Sequence, residues 1–398
     1  MKRTRSITAL LLAVLMMLSV FSGCGDSGEQ PSGSSGTGEP AGSSEPAQSG
    51  KTYVIGVDCP MTGGNSGFGE QMSLGAQMAV DEINAAGGID GVMLSLNIQD
   101  DKSDPKEAAT IATKFCADKN VVAIFGFYNS SCCLAALPII NESGKLTICT
   151  GSNPDISTAN QTYGFRIEPS DNQQAVYTGN WMIEDGRQKV AILYETSDYG
   201  MGQEKIISEM LTQAGAEVVC SEAYVINETR DFTNILTKVK NSGADSLFIG
   251  GTYTEGALIA KQQISLGMNL PIYSSSSMFE VQYLDAAGDA AEGTKVQGVL
   301  DPNNPSEIVQ NFEREYRAKF GEDKTAGTFS AHAYFSINMI ADAIRATGGT
   351  DSKAMADYIA STTFDTVYGT VSFNETHDLI FDKLTRLVVE NGKFVVVE

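Results

Sequence analysis

The chain has 398 residues and a formal net charge of −22, with 27 lysines and arginines against 49 aspartates and glutamates. So acidic a surface excludes nucleic acid as a partner, because phosphate binding needs basic side chains. Past residue 20 no apolar run reaches the roughly 20 residues that span a bilayer, which excludes a channel or a permease.

The first predicted element is a leader. Lys2, Arg3 and Arg5 precede a nearly continuous apolar stretch from Ile7 to Val20, the layout of a secretory signal peptide. Ser22 and Gly23 then lead into Cys24, which resembles the bacterial lipobox, where the cysteine is lipidated and becomes the new N-terminus. Phe21 stands where that motif most often has Leu. Residues 26–50 contain no Leu, Ile, Val or aromatic residue, cannot bury enough surface to fold, and read as a flexible tether. The expectation is a signal peptide over 1–23, then a lipidated Cys24 and tether over 24–50 that hold a globular body on the outer side of the cell membrane.

From Tyr53 onward, short β-branched runs alternate with amphipathic segments. "YVIGVD" (53–58) reads as a buried strand, followed by the Gly-rich loop "MTGGNSGFG" (61–69) and a helix beginning near Glu70 that Gly87-Gly88 closes. Further strands are predicted over 94–100, 121–126 and 146–150, with helices over 106–118 and 132–143. A second series opens with "KVAILYE" (189–195), a helix across 202–214, and strands over 216–225 and 246–251. Strands and helices alternating at this spacing imply βαβ units, and two such series imply two doubly wound parallel-sheet lobes. Ligands of such sheets bind outside the carboxyl ends of the strands. The loops after Asp58, Gly126, Thr150, Glu195 and Gly251 are therefore where a site is expected.

Catalytic chemistry finds little support. The two histidines, His332 in an apparent helix and His377 in a turn, have no Ser or Cys partner that would make a hydrolytic triad. "GGTYTEG" (250–256) lacks the spacing of a phosphate-binding loop. Asp100-Asp101 could bind a metal, but they read better as carboxylates ending a strand, with Asp104-Pro105 opening the next helix. Six cysteines besides Cys24 (Cys59, Cys116, Cys132, Cys133, Cys149, Cys220) are an even count that permits disulfides, at spacings that fit no metal motif. No enzyme, metal or cofactor is expected, and a cleft without a catalytic constellation points to a binder.

"IGVDCPMTGGNSGFGEQMSLGAQMAVDEINAAGGIDG" (55–91) closely resembles the opening of the type I periplasmic binding proteins of the branched-chain amino acid transport family. The likeness continues through "QDDKSDPKEA" (99–108), "GFYNSSC" (126–132), "TGSNPDIST" (150–158), "DYGMG" (198–202), "GGTYTEGALIAKQ" (250–262) and "DTVYGTVSFNETHDL" (365–379), in family order. It implies two α/β lobes joined by three hinge crossings near 171, 300 and 378: an N-lobe of 51–171 plus 300–378 and a C-lobe of 172–299 plus 379–398. It also implies a monomer that closes on a small ligand and presents it to an ABC permease with its ATPase. A ligand-sensing module signalling to a membrane partner is the alternative use of the same fold.

The resemblance places the ligand's α-carboxylate at Ser130, Thr150 and Ser152, with Phe68 and Tyr199 lining the cleft. It places Ser276 where amino-acid binders carry the acid that pairs with the ammonium, and Thr252 where they carry a tyrosine, Tyr253 being displaced by one. A serine cannot neutralise a buried charge. Either Glu280 or Glu255 takes over, or the ligand is not a conventional α-amino acid. The family's occasional disulfide falls at Ser103 and Asn129 and is absent. Cys132 and Cys133 are either small buried thiols or partners in a disulfide that stiffens the ligand loop.

Overall fold

Hydrophobic runs too long to leave one face in water are what build this molecule: β1 (Thr52–Cys59) is buried along almost its whole length, as a parallel strand covered on both sides must be. A computed structural model describes residues 52–159, 162–301, 304–322, 324–381 and 383–397. The leader, Cys24 and the tether lie outside the described residues. Among the described residues no helix is long and apolar enough to cross a membrane.

After β1 the chain forms α1 (Ser66–Ala85), β2 (Met93–Asp100), α2 (Pro105–Ala117), β3 (Val121–Gly126), α3 (Ser130–Ser143), β4 (Thr147–Cys149), α4 (Asp155–Ala159) and β5 (Gly164–Arg166). These strands make a parallel sheet of order β2-β1-β3-β4-β5. The helix expected after Asp104-Pro105 starts there, with Asp104 Oδ1 accepting from Lys106 N at 2.7 Å.

The next stretch forms α5 (Asp171–Glu184), β6 (Lys189–Glu195), α6 (Asp198–Gln213), β7 (Glu217–Tyr224), α7 (Thr233–Ser242), β8 (Ser246–Gly250), α8 (Tyr253–Ser265), β9 (Ile272–Ser274), α9 (Val281–Ala287) and β10 (Lys295–Gly298). Then come α10 (Glu307–Phe320), α11 (Thr328–Thr347), α12 (Ser352–Ser361), the hairpin β11 (Phe364–Thr366) and β12 (Gly369–Val371), and finally β13 (Thr385–Glu390) and β14 (Lys393–Val397). The second sheet has the order β14-β13-β10-β9-β8-β6-β7. It is parallel from β7 to β10, but β13 and β14 add to it antiparallel. Two doubly wound lobes are thus present, the second with a mixed edge.

The chain leaves the first sheet after β5, returns after β10 to pack α11 along α1, and departs again after β12. Two glycines make close approaches that place the site. A Cβ on Gly75 of α1 would lie 2.1 Å from the Ser330 carbonyl oxygen of α11, so only glycine lets the two helices meet. Gly126 ends β3 with φ +142°, and a Cβ there would lie 2.0 Å from the Asp58 carbonyl oxygen. That turn carries the chain across the end of β1 into the residues before α3.

Candidate functional site

The loops at the carboxyl ends of the two sheets meet face to face. Gly64 N donates to Asn227 Oδ1 (3.0 Å), Thr254 Oγ1 to the Gly64 carbonyl (2.8 Å) and Gly67 N to Tyr253 Oη (3.2 Å). At the opposite rim Asn153 Nδ2 donates to the Asp198 carbonyl (2.6 Å), and Asp198 N to Ser131 Oγ (3.0 Å). Between these clamps lies a cavity of about 30 Å³.

Its walls come from six places. The β3–α3 loop supplies Tyr128, Asn129 and Ser130, and the segment after β4 supplies Thr150 and Ser152. Tyr199 of α6 and Ser276 and Ser277 after β9 face them, Phe329 of α11 adds an aromatic side, and Glu168 enters from the crossing between β5 and α5. Tyr199 Oη lies 3.1 Å from Ser275 Oγ and 2.7 Å from Ser277 Oγ, which itself donates to the Gly251 carbonyl.

The N-terminus of α3 begins at Ser130, whose hydroxyl accepts from Ser152 N (3.2 Å) and Asn153 N (3.1 Å). With both lone pairs used, its proton is left to donate. Thr150 Oγ1 is buried without a partner among the described residues. Two hydroxyl donors beside a helix N-terminus suit an anionic group. Behind them the fully buried Arg166 holds the loop, donating Nη1 to the carbonyls of Ser152 (3.1 Å) and Asn153 (2.9 Å) and Nη2 to Ser157 Oγ (2.6 Å), and pairing with Asp378 at 2.8 Å.

Of the nine residues expected at the ligand, Ser130, Thr150, Ser152, Tyr199 and Ser276 line the cavity, while Phe68, Thr252, Tyr253 and Glu280 do not. Phe68 is fully buried one layer back, stacked on Tyr128 (centroids 4.3 Å apart, 19°) and edge-on to Phe329. It supports the aromatic wall instead of forming it. Tyr253 serves the rim clamp, and Thr252 precedes α8 as a buried N-cap. Glu280 takes a hydrogen bond from Gln71 Nε2, and burial pushes its carboxyl up to about 8.

Neither acid proposed to replace the one missing at Ser276 reaches the cavity. Glu255 is held by Arg230 (2.8 Å) and by Asn227 N (3.2 Å). The acid that does reach it is Glu168. Its Oε1 accepts from Gln174 Nε2 (3.0 Å) and Ser276 Oγ (2.8 Å), and its Oε2 lies 2.6 Å from His332 Nε2. Sequence reasoning missed it, although an acid two residues past a parallel strand and just before Pro169 is the signal that would have found it. Phe329 and His332 give no local signal, because α11 arrives from far along the chain.

All six described cysteines are free thiols, with Cys132, Cys133 and Cys149 buried together in an apolar cluster. A disulfide at Cys132 or Cys133 is therefore absent. Among the described residues no group of His, Cys, Asp and Glu is arranged to hold a metal. Asp100 instead caps the loop after β1, accepting from Met61 N (2.9 Å), Thr62 N (3.3 Å) and Thr62 Oγ1 (2.6 Å).

A family profile described as "Periplasmic binding protein" matches residues 52–388. The chain belongs to the type I periplasmic binding proteins. Within this family it is similar to the "Leu/Ile/Val-binding protein homolog 1" of Brucella suis biovar 1, at 30% identity over 331 residues covering 82% of this chain and 87% of that one. Among solved structures it resembles the branched-chain amino acid transporter substrate-binding protein LivJ of Streptococcus pneumoniae, in complex with isoleucine. That match has 29% identity and a TM-score of 0.80, and covers 87% of this chain and 99% of that one. A solute-binding protein of an ABC transporter from Rhodopseudomonas palustris, in complex with 3,4-dihydroxybenzoic acid, shares the fold at 22% identity (TM-score 0.78, 87% of this chain and 95% of that one). Family membership makes this chain a solute-binding protein and not an enzyme.

Proposed function

We propose that this protein is the extracytoplasmic receptor of an ABC importer, and that its interlobe cavity takes an amino acid, branched-chain or related, or a similar small carboxylate. The observation that carries this reading is the pair of uncommitted hydroxyls, Ser130 and Thr150, at the N-terminus of α3 inside a cavity without lysine or arginine. Neutral donors can hold a carboxylate tightly there while allowing release when the lobes part. The Brucella and Streptococcus relatives, named for branched-chain amino acids, support the same class.

The N-lobe in this reading is 51–171 plus 300–378 and the C-lobe 172–299 plus 379–398, which fits α11 packing on α1 and β13 joining β10. Cys24 carries the lipid that keeps the receptor beside its permease. Cells grown with a labelled fatty acid are expected to label the wild type and not Cys24→Ser. A wild type that takes up no label would refute the anchor.

Ligand class is tested by thermal unfolding of protein stripped by unfolding and refolding, screened against L-amino acids, their 2-oxo acids and aromatic acids. A ligand at 100 times its dissociation constant adds about 2.7 kcal/mol, an obvious upward shift. One observation favours a second reading: Phe68, Tyr128 and Phe329 form a continuous aromatic cluster against the cavity, a surface on which a planar ring would stack. A shift with benzoate or 3,4-dihydroxybenzoate and none with amino acids would decide for it.

A further inference from the structure

The cavity has one acid that no lysine or arginine answers. Glu168 is 2% exposed, and among the described residues neither lysine nor arginine pairs with it. Its partners are the side-chain amide of Gln174, the hydroxyl of Ser276 and the imidazole of His332. The imidazole is itself oriented: His332 Nδ1 lies 2.7 Å from Tyr368 Oη, while the Tyr368 hydroxyl is 3.4 Å from its other acceptor, the Thr328 carbonyl. A hydrogen bond at each ring nitrogen fixes the imidazole with Nε2 aimed at Glu168. Burial keeps the Tyr368 hydroxyl protonated and so available to donate. The buried guanidinium of Arg166 spends its Nη donors on Asp378, Ser157 and the loop carbonyls.

A buried carboxylate with neither lysine nor arginine beside it is costly, and a cationic group on a ligand would offset that cost. Three donors also leave room on the carboxylate, which offers about four lone-pair sites. The place is the right one for a receptor. Ser276 reaches Glu168 from beyond β9 of the second sheet and His332 reaches it from α11, which packs on the first, so both lobes meet at this carboxylate in the closed form.

Resting on the amino-acid reading above, we propose that Glu168 is the residue that accepts the ligand's ammonium, taking over from the acid missing at Ser276, with His332 and Tyr368 positioning its carboxylate. The two positions are 2.8 Å apart, side chain to side chain, so the negative charge has moved across the cleft while its target stays in place. The ligand class that follows is a small zwitterion, its carboxylate at Ser130 and Thr150 and its ammonium at Glu168.

The test is calorimetric titration of purified protein with L-leucine, L-isoleucine, L-valine and L-phenylalanine, and with the matching 2-oxo acids, which lack the ammonium. The wild type is expected to bind its best amino acid at least about 100-fold more tightly than the 2-oxo acid. Glu168→Gln should weaken the amino acid about 100-fold and bring the ratio of the two affinities close to one. A merely structural glutamate would change both affinities together and leave the ratio where it was. The double variant E168Q/S276D returns an acid to the same spot and should restore at least tenfold of the lost preference.

An amino-acid preference that survives E168Q overturns the assignment while the function stands. A wild type that binds the 2-oxo acid as well as the amino acid overturns it too, and needs no variant to fold. Binding of none of the eight compounds, or of 3,4-dihydroxybenzoate instead, overturns the amino-acid reading and the assignment with it.

Discussion

Asp58 closes β1 fully buried beside Asp101, and burial together with that second carboxylate raises its pKa well above the ordinary range. Burial therefore favours the protonated form of Asp58 beside the Asp101 carboxyl. Asp58→Asn retains a donor of the same shape and is expected to lie within about 1 kcal/mol of wild type in urea unfolding at pH 7. Asp58→Ala leaves the Asp101 carboxylate buried without that donor and should cost about 2–3 kcal/mol. Arg166 presents the opposite case, a cation whose donors hold a loop shut. Arg166→Met strands Asp378 and frees the Ser152 and Asn153 carbonyls, so a loss of about 3–5 kcal/mol is expected in the same assay. Lysine at 166 should recover little of it, because one ammonium cannot reproduce the forked contacts of a guanidinium.

At the scale of elements, the first sheet and the helix that covers it were unevenly visible in the sequence. The longer parallel strands were legible as short runs of apolar and β-branched residues spaced so as to leave room for a helix, whereas β5, β9 and the parallel strand β10, only three or four residues long, were not. The antiparallel pair β13 and β14 was not, since "RLVVENGKFVVV" alternates weakly and its partner β10 lies far back in the chain. Site residues divided the same way. Ser130, Thr150 and Ser152 were placed by the family resemblance, in segments past β3 and β4, whereas Glu168 needed knowledge of which crossing turns toward the cleft. The pairing of α11 with α1 was likewise hidden, and it makes a sharp prediction. Gly75→Ala drives a methyl against the Ser330 carbonyl at 2.1 Å, which only separation of the helices can relieve. A loss of about 1–3 kcal/mol is expected despite alanine's higher helix propensity, read as a lower denaturation midpoint. An unchanged or raised midpoint would mean that the helices have slack.

Across the whole molecule, three buried acids share one response to pH. Burial raises Glu280, between α1 and α9, to about 8, and Glu195, at the end of β6, to about 8. Asp171, at the start of α5, is raised by burial to about 7, hydrogen bonds from Ser152 and Gln203 holding it there against a further rise. An unfolded chain would release these protons near pH 4, the ordinary carboxylate value. Between about pH 4 and pH 8 the folded protein therefore binds more protons than the unfolded one, and its stability falls as pH rises through that window. The contribution is fully present below the unfolded value and gone once the folded groups ionise near 8. Thermal unfolding should show a higher Tm at pH 6 than at pH 9. Glu280→Gln keeps a neutral partner for Gln71 and should flatten part of that slope by raising the Tm at pH 9 more than at pH 6. Glu280 is buried where α1 of the first sheet meets the segment before α9 of the second, so its ionisation favours parting them to let water in, although Gln71 also bonds the charged form. Ligand release should accordingly be faster at pH 9 than at pH 6 in the wild type, and less so in Glu280→Gln. A release rate that ignores pH while the Tm slope persists would place these protons in the fold of each lobe and not in its closure.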